Sequence, residues 1–261
     1  MSRNPDKMIE RRSRILEVLK KDGHAMVTGL AQMFETTEVT IRSDLCALEK
    51  EKKLIRMAGG AVLPKEESEE DRSPKARELQ HAPEKYAIAK YIAEEIHDGD
   101  TLFINSGSTT QYFAEALKGK KGLRIVTNAL RVLAALSGNP GIHVVLIGGE
   151  VNTYDGFTYG LDAMETLKRY QAKYAVLSLD GITEDGTVST FHAEEAEVSG
   201  AMIAHSEQTL LLADSSKLGK QGFFRLTEAG AGKTLVTDEN ANRNTVKSLQ
   251  KSGMKVLMAR L

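Results

Sequence analysis

The chain has a single cysteine, Cys46, so no intramolecular disulfide can staple it, and a reducing cytoplasm is the expected setting. No zinc-ligand spacing of Cys and His occurs, and neither a metal nor a cofactor is expected. No apolar run approaches the ~20 residues of a membrane span. The first residues, Met1-Ser2-Arg3-Asn4-Pro5-Asp6-Lys7, lack the apolar centre of a signal peptide. Net charge is only −1, which by itself argues against a nucleic-acid binder. The distribution of charge points the other way. Residues 1–60 carry 12 Lys and Arg against 9 Asp and Glu, and the remainder carries 23 against 27. A basic head on an acidic body fits DNA binding by the head alone.

At 261 residues and 41% hydrophobic content there is enough chain for packed cores, as one large domain or a small one plus a medium one, and the organisation of the head favours two. Within the head, Thr36 to Ala61 is the informative stretch. Ile41, Leu45 and Leu48 form one narrow apolar stripe at helical spacing. Val39, Ser43, Cys46 and Lys50 point the other way, with Thr40 and Arg42 on the flanks. That arrangement presents a guanidinium at one edge, suited to phosphate or to a guanine edge. Thr37 is placed to cap the helix. Beyond it, Leu54-Ile55-Arg56-Met57, the Gly59-Gly60 turn and Ala61-Val62-Leu63 read as a short hairpin. Upstream, Ala25 to Phe34 is a short amphipathic segment at helix-turn-helix spacing, and Ile15, Leu16, Val18 and Leu19 give a third helix its apolar face. The residues expected to meet DNA are Thr36, Thr37, Glu38, Val39, Thr40, Arg42, Ser43, Lys50, Arg56, Gly59 and Gly60.

Residues 10 to 63 resemble the winged helix-turn-helix of the DeoR family of bacterial transcription regulators. The likeness is carried by Arg12, Ile15, Leu30-Ala31, Phe34, Thr40-Ile41-Arg42-Ser43-Asp44-Leu45, Leu48-Glu49, Arg56 and Gly59-Gly60-Ala61. The family usually has a second Arg where Ser43 stands here, and often a His where this chain has Ala58.

From Pro64 to Pro83 the composition shifts to a charge run without periodicity, Lys65-Glu66-Glu67-Ser68-Glu69-Glu70-Asp71, which reads as a hinge. The expected organisation is therefore a DNA-binding domain over 1–63, a linker over 64–84 and a second domain over 85–261. Arg77, His81 and Lys85 recur at intervals of four and could share a helical face. The DeoR family has an Arg, an Asn and a Lys at this spacing, with His81 replacing the Asn.

Beyond Lys85, short continuous apolar runs predict strands at 101–104, 124–127, 143–147, 174–179, 209–213, 234–237 and 255–258. Amphipathic segments lie between most of them, at 86–96, 110–117, 161–170 and 195–206. This alternation predicts an α/β domain with a mostly parallel sheet covered on both faces, and ligands bind such sheets beyond the carboxyl ends of the strands. The strand ends are polar. Asn105-Ser106-Gly107-Ser108-Thr109-Thr110 opens a helix whose free N–H groups and dipole suit an anion. Asn128, Gly148-Gly149, Asp180-Gly181 and Asp214-Ser215-Ser216-Lys217 follow other strands. Each alone is ordinary turn chemistry, but together they offer anion donors, hydroxyl partners and a cation. The expected effector residues are Ser106, Gly107, Ser108, Thr109 and Thr110 for a phosphate, Lys217 as a point charge, Asn128 and Asp180 for hydroxyls, and Asn105, Gly149, His192 and Glu194.

These landmarks, with Gly99-Asp100, Val126-Thr127-Asn128, Gly160, Ser189-Thr190 and Glu194-Glu195-Ala196, also resemble the DeoR sensor domain, so the likeness spans roughly residues 10 to 258. It implies a fold similar to ribose-5-phosphate isomerase and a phosphorylated sugar as effector. Two basic positions common in the family differ here, where Val151-Asn152-Thr153 follow Gly149 and Ser199-Gly200 follow the Glu-Ala step.

Gly230-Ala231-Gly232-Lys233-Thr234 ends like a nucleotide loop, but Thr227 stands where the first glycine belongs and the segment runs into a strand, so a phosphate cradle is not expected. Phe191-His192-Ala193-Glu194-Glu195 brings an imidazole near carboxylates, and Asp180, Asp214 and Lys217 keep a sugar-phosphate isomerase with an accessory domain as the alternative function. The leading expectation is a regulator, a repressor by preference, of a carbohydrate operon. It would bind duplex operator DNA and a sugar phosphate, and would act as a homodimer or homotetramer because one weakly basic module binds DNA weakly.

Overall fold

The computed structural model describes residues 5–22, 24–51, 53–57, 59–62 and 73–261. The chain divides into two compact units, Met1–Asp71 and Arg72–Leu261.

In the first unit, α1 (Pro5–Asp22), α2 (Val27–Met33) and α3 (Glu38–Lys50) pack with three short strands, β1 (His24–Met26), β2 (Ile55–Met57) and β3 (Gly60–Val62). Ile15 and Leu19 from α1, Leu30 and Ala31 from α2, and Ile41, Leu45 and Leu48 from α3 make one core with Leu54 and Ala61. The apolar stripe read from the sequence is thus the buried face of α3. Thr37 caps that helix, its side chain accepting from Thr40 N at 3.2 Å. The sheet order is β1-β3-β2, with both pairings antiparallel. The helix expected from Ala25 begins only at Val27, because the preceding residues pair with β3 instead; a three-residue strand is too short to carry a period.

Asp44 is buried inside this unit, although it lies between exposed Ser43 and buried Leu45. Arg11 Nε donates to its Oδ2 at 2.6 Å and Arg12 Nε to its Oδ1 at 3.0 Å, tying α1 to α3. Two guanidinium donors satisfy a carboxylate that burial alone would disfavour.

The second unit is organised by a seven-stranded sheet in the order β15-β14-β12-β9-β4-β5-β6. Its strands are β4 (Thr101–Ile104), β5 (Leu123–Thr127), β6 (Ile142–Leu146), β9 (Ala172–Ser178), β12 (Ser206–Leu212), β14 (Lys233–Asp238) and β15 (Lys255–Ala259), all parallel. These are the seven strands expected from the apolar runs. Each run is continuous because alternate residues enter different cores: Leu102 and Ile104 face one side and Phe103 the other, as Leu210 and Leu212 do against Leu211. One face is covered by α5 (Ala82–Glu95), α6 (Ser108–Ala116) and α7 (Leu130–Leu136). The other is covered by α8 (Leu161–Leu167), α9 (Ala193–Ala204) and α10 (Arg243–Lys251).

The chain runs β4, β5, β6 toward one edge, then returns to the other side of β4 and builds β9, β12, β14 and β15 outward. The point of reversal lies between the carboxyl ends of β4 and β9. Two small sheets are added that the apolar runs did not predict: the hairpin of β7 (Glu150–Asn152) and β8 (Phe157–Tyr159), and an antiparallel sheet of β10 (Gly181–Ile182), β11 (Thr187–Thr190) and β13 (Phe224–Glu228). The stretch expected as a linker over 64–84 lies outside the described residues as far as position 72. From Ser73 onward it belongs to the second unit, where α4 (Pro74–Leu79) and the start of α5 pack. The anchor is Lys85, which is buried and donates to the Arg77 and Gln80 carbonyls.

Replacing Asp44 by Ala should therefore loosen α1 from α3. The expected loss is about 2 kcal/mol, below the ~3–5 kcal/mol of a fully buried pair because both arginines reach solvent. Urea denaturation of the Asp44→Ala chain measures it, and an unchanged transition would refute the structural role.

Candidate functional site

At the switch point the β4 end is clamped to β9 by one side chain. Asn105 is fully buried; its Oδ1 accepts from Ser178 N at 2.8 Å, and its Nδ2 donates to Ser178 O at 3.1 Å and to Ser199 Oγ at 3.1 Å. The chain then passes so close to β9 that a Cβ at Gly107, where φ is +149°, would collide with the Ser178 side chain. Only glycine fits there. Thr110 Oγ1 donates back to Asn105 O and Gly107 O, each at 3.0 Å. The loop Ser106–Ser108 is thereby held open at the start of α6, whose first-turn N–H groups have no acceptor within the helix.

A small cleft, open to solvent, lies over this loop. It is lined by Pro74, Arg77, Ser106, Gly107, Ser108, Arg131, Asp155, Phe157, His192 and Glu195. Five segments converge: α4, the β4–α6 loop, α7, the β7–β8 hairpin and the start of α9. Its cations each stand beside an acid, while Arg77 Nε is left without a partner among the described residues. Arg77 donates to Asp155 Oδ1, and His192 Nε2 stands 3.2 Å from Asp155 Oδ2. Arg131 Nη1 lies 3.1 Å from Glu78 Oε2 on α4. Behind the cleft wall, Lys217 Nζ is 3.9 Å from Asp180 Oδ1.

Glu195 has hydroxyl partners instead of a cation. Its Oε1 accepts from Ser106 Oγ at 2.7 Å, and its Oε2 is 2.6 Å from Thr190 Oγ1. Burial, and next the nearby Asp180 carboxylate, push the Glu195 carboxyl up to about 7. Burial likewise pulls Lys85 down to about 8.

Of the residues expected at the effector site, Ser106, Gly107, Ser108 and His192 line the cleft. Asn105 and Thr110 are buried beneath it and hold the loop, so their part is support, and Thr109 is buried in the first turn of α6. Asp180 and Lys217 sit behind it, joined to Glu195 through Thr190, which lies 3.0 Å from Asp180 Oδ2. Asn128 is outside the lining and donates through Nδ2 to Thr158 O at 3.0 Å. Gly149 is also outside it; a Cβ there would collide with Tyr159 O, so its glycine serves the approach to the hairpin. Glu194 is displaced by its neighbour Glu195, which is the one that turns into the cleft.

Arg77, Arg131, Asp155 and Phe157 were not among the expected residues. Arg77 carried a signal in its repeat with His81 and Lys85. Arg131 and Asp155 carried none, because α7 and the hairpin that present them were not foreseen.

On the first unit, Val39, Arg42 and Ser43 are exposed along one side of α3, with Thr37 and half-buried Thr36, Glu38 and Thr40 at its start and exposed Lys50 at its end. Arg42 pairs with Glu38 at 2.8 Å, and Arg56 on β2 with Glu49 at 3.6 Å. Such exposed pairs hold little energy, ~0–1 kcal/mol, and exchange readily for phosphate. Gly59 is exposed in the turn, with φ +83°. Gly60 is buried, and a Cβ there would strike Ala25 O, so it serves the β1–β3 approach and not a DNA contact. Ala58, the other departure noted in the wing, lies outside the described residues.

A recognition-type helix with a wing, followed by a doubly wound domain with a polar switch-point cleft, defines a one-chain ligand-sensing DNA-binding protein. Comparison with known proteins gives the family. Residues 11–67 match the DeoR-like helix-turn-helix domain and residues 80–239 the DeoR C terminal sensor domain. The chain belongs to the DeoR family and is a DNA-binding transcriptional regulator, not an enzyme. It is 31% identical over 233 residues to the glycerol-3-phosphate regulon repressor of Escherichia coli K12, covering 89% of this chain and 91% of that protein. It is 30% identical over 249 residues to the transcriptional repressor GlcR of Bacillus subtilis, covering 95% of each. Among solved structures it is similar to ribose 5-phosphate isomerase A from Methanocaldococcus jannaschii, at 15% identity and a TM-score of 0.41 over 53% of this chain and 55% of that one. No described helix is long and apolar enough to cross a membrane.

Proposed function

We propose that this regulator represses a carbohydrate-metabolism operon in the cytoplasm, and that a phosphorylated sugar or polyol in the switch-point cleft alters its operator affinity. The observation that carries the reading is the convergence of Ser106, Ser108, Arg77, Arg131 and His192 on one cleft at the start of α6. Hydroxyls, guanidinium groups and free helix N–H groups together suit a phosphate, and Asp155 suits sugar hydroxyls. The names of the relatives, a glycerol-3-phosphate regulon repressor among them, support the same class of ligand.

The route to the DNA-binding unit runs through α4. It supplies Arg77 and Glu78, two partners of the rim pairs, and follows directly on the residues that join the units. A phosphate that draws Arg77 and Arg131 toward itself changes how α4 is held. Release of DNA then requires only that the ligand bind one arrangement better than the other, each tenfold preference contributing ~1.4 kcal/mol.

The DNA face is proposed as Thr36, Thr37, Glu38, Val39, Thr40, Arg42, Ser43 and Lys50 on and around α3, with Arg56 and Gly59 on the wing. Arg42→Ala and Arg56→Ala should each weaken operator binding by ~1–3 kcal/mol if they read bases. Losing a phosphate contact would instead flatten the salt dependence. Gel shifts across a salt series measure both, and wild-type affinity in both variants would remove these residues from the interface.

Ser108→Asp sets a carboxylate against the incoming phosphate while suiting the first turn of α6. It should yield a folded repressor that binds operator and ignores a panel of sugar phosphates in gel shift and thermal shift. Thr109→Asp should instead lose stability, since it buries a carboxylate where Thr109 is 3% exposed. A Ser108→Asp protein that still responds normally would place the ligand elsewhere.

A homodimer reading paired half-sites is the proposed assembly, because joined modules combine weak affinities. Sedimentation that finds only monomer, both free and on operator DNA, would reject it.

A further inference from the structure

The cations around the cleft already have acids: Arg77 and His192 share Asp155, Arg131 has Glu78, and Lys217 has Asp180. An anion arriving here cannot simply meet spare positive charge. Its arrival also brings it beside Glu195, whose partners are two hydroxyls.

Those hydroxyls reveal where a proton sits. The Thr190 hydroxyl has one hydrogen, yet its oxygen is 2.6 Å from Glu195 Oε2 and 3.0 Å from Asp180 Oδ2, which also accepts from Phe191 N at 3.1 Å. One hydrogen cannot serve both carboxylates well. All contacts are satisfied when Glu195 Oε2 carries a proton and donates it to Thr190 Oγ1, Thr190 donates to Asp180, and Ser106 Oγ donates to Glu195 Oε1. Glu195 is then a neutral acid at the floor of the cleft.

We propose that Glu195 couples anion binding to protonation, the cleft accepting a dianion only in the form where this carboxyl is neutral. The inference rests on reading the cleft as the phosphate site. A dianion at Ser106 and Ser108 competes for the Ser106 hydroxyl that now serves Glu195 Oε1, and it repels the ionised carboxylate. Both effects hold the proton on Glu195 more firmly when the anion is bound.

The groups facing Glu195 are Asp180 after β9, Thr190 at the end of β11, His192 ahead of α9, Ser106 before α6, Arg77 of α4, Arg131 of α7, Asp155 of the hairpin and, through Asp180, Lys217. Burial and Asp180 already raise the carboxyl to about 7 in the free protein. The sign follows. Affinity is full below that value and falls as pH rises through it, by up to about tenfold per pH unit, until the bound form also ionises.

Sulfate is the probe, because it remains a dianion throughout this range and contributes no titration of its own. Calorimetry on the full-length protein between about pH 6 and about pH 8.5 should show affinity falling by about tenfold per unit above neutrality. At the alkaline end, buffers of different ionisation enthalpy should report uptake of close to one proton per sulfate. Glu195→Gln should abolish the fall and the uptake; His192→Gln, whatever its absolute affinity, should keep the pH slope and the uptake; and Ser108→Asp should abolish sulfate binding. Sulfate binding with the same affinity at every pH and no proton uptake in the wild-type protein overturns the inference and leaves the cleft an anion site. The same slope in Glu195→Gln, or its loss in His192→Gln, assigns the proton to another group and also overturns it. Failure of sulfate to bind at any pH removes the anion-site reading and the inference together. Should Glu195→Gln not fold, wild-type proton uptake and the His192→Gln slope still decide.

Discussion

Every polar atom of the Asn105 amide is engaged in holding the end of β4 against β9 and α9, and the geometry of the cleft follows from that clamp. Its two bonds to the Ser178 backbone fix the spacing of the strands on either side of the switch point. Its third, to Ser199 Oγ, fixes the rotation of α9. Glu195 lies four residues before Ser199, one helical turn away on the same face, so the bond that seats Ser199 also aims Glu195 at Ser106. Buried amides are costly when left unpaired, and a fully paired one specifies a single arrangement. Asn105, expected from sequence as a ligand contact, is better understood as the reason the contacts can form.

What the sequence made legible follows from the physics of burial. The seven strands were readable because a sheet covered on both faces turns each strand into a continuous apolar run. The buried stripe of α3 was readable because 3.6-residue periodicity leaves only one solution for Ile41, Leu45 and Leu48. The parts missed are short or contribute few core residues. The β7–β8 hairpin has three residues per strand, and α7 has seven, with only Val132 and Leu136 fully in the core. Those elements deliver Asp155 and Arg131, two of the five titratable residues lining the cleft, so that part of the rim was invisible. The loop residues Ser106 to Ser108 were legible because they follow a strand and open a helix, a relation that is local in sequence. The pairing of Arg77 with Asp155 spans 78 positions and has no local trace.

In the DNA-binding unit, adjacent residues on one helix take opposite parts. Arg42 and Ser43 face solvent, while Asp44 is buried and accepts from Arg11 and Arg12. Two of the positive charges counted in the basic head are therefore engaged within the fold, and a count of Lys and Arg overstates what is free to meet phosphate. The charge that matters is positional: Arg42, Lys50 and Arg56 are exposed, and the acids beside Arg42 and Arg56 reach solvent as well. Pairs of that kind hold the guanidinium groups in place without desolvating them, so exchanging a carboxylate for a DNA phosphate costs little.

The same logic applies with more force in the cleft, where the pairs are less exposed. A cleft lined by unpaired arginines would retain almost any phosphate and could not switch, since a ligand bound equally in both arrangements shifts nothing. With Arg77 and Arg131 held by Asp155 and Glu78, a ligand must replace existing bonds, and α4 carries one member of each pair. Under the proposed function, ligand binding and the seating of α4 are alternative uses of the same two guanidinium groups. That competition makes the affinity of the cleft and the position of the first element after the linker two readings of one equilibrium, and linkage requires that whatever holds α4 in place weaken the ligand by the same factor that the ligand weakens α4.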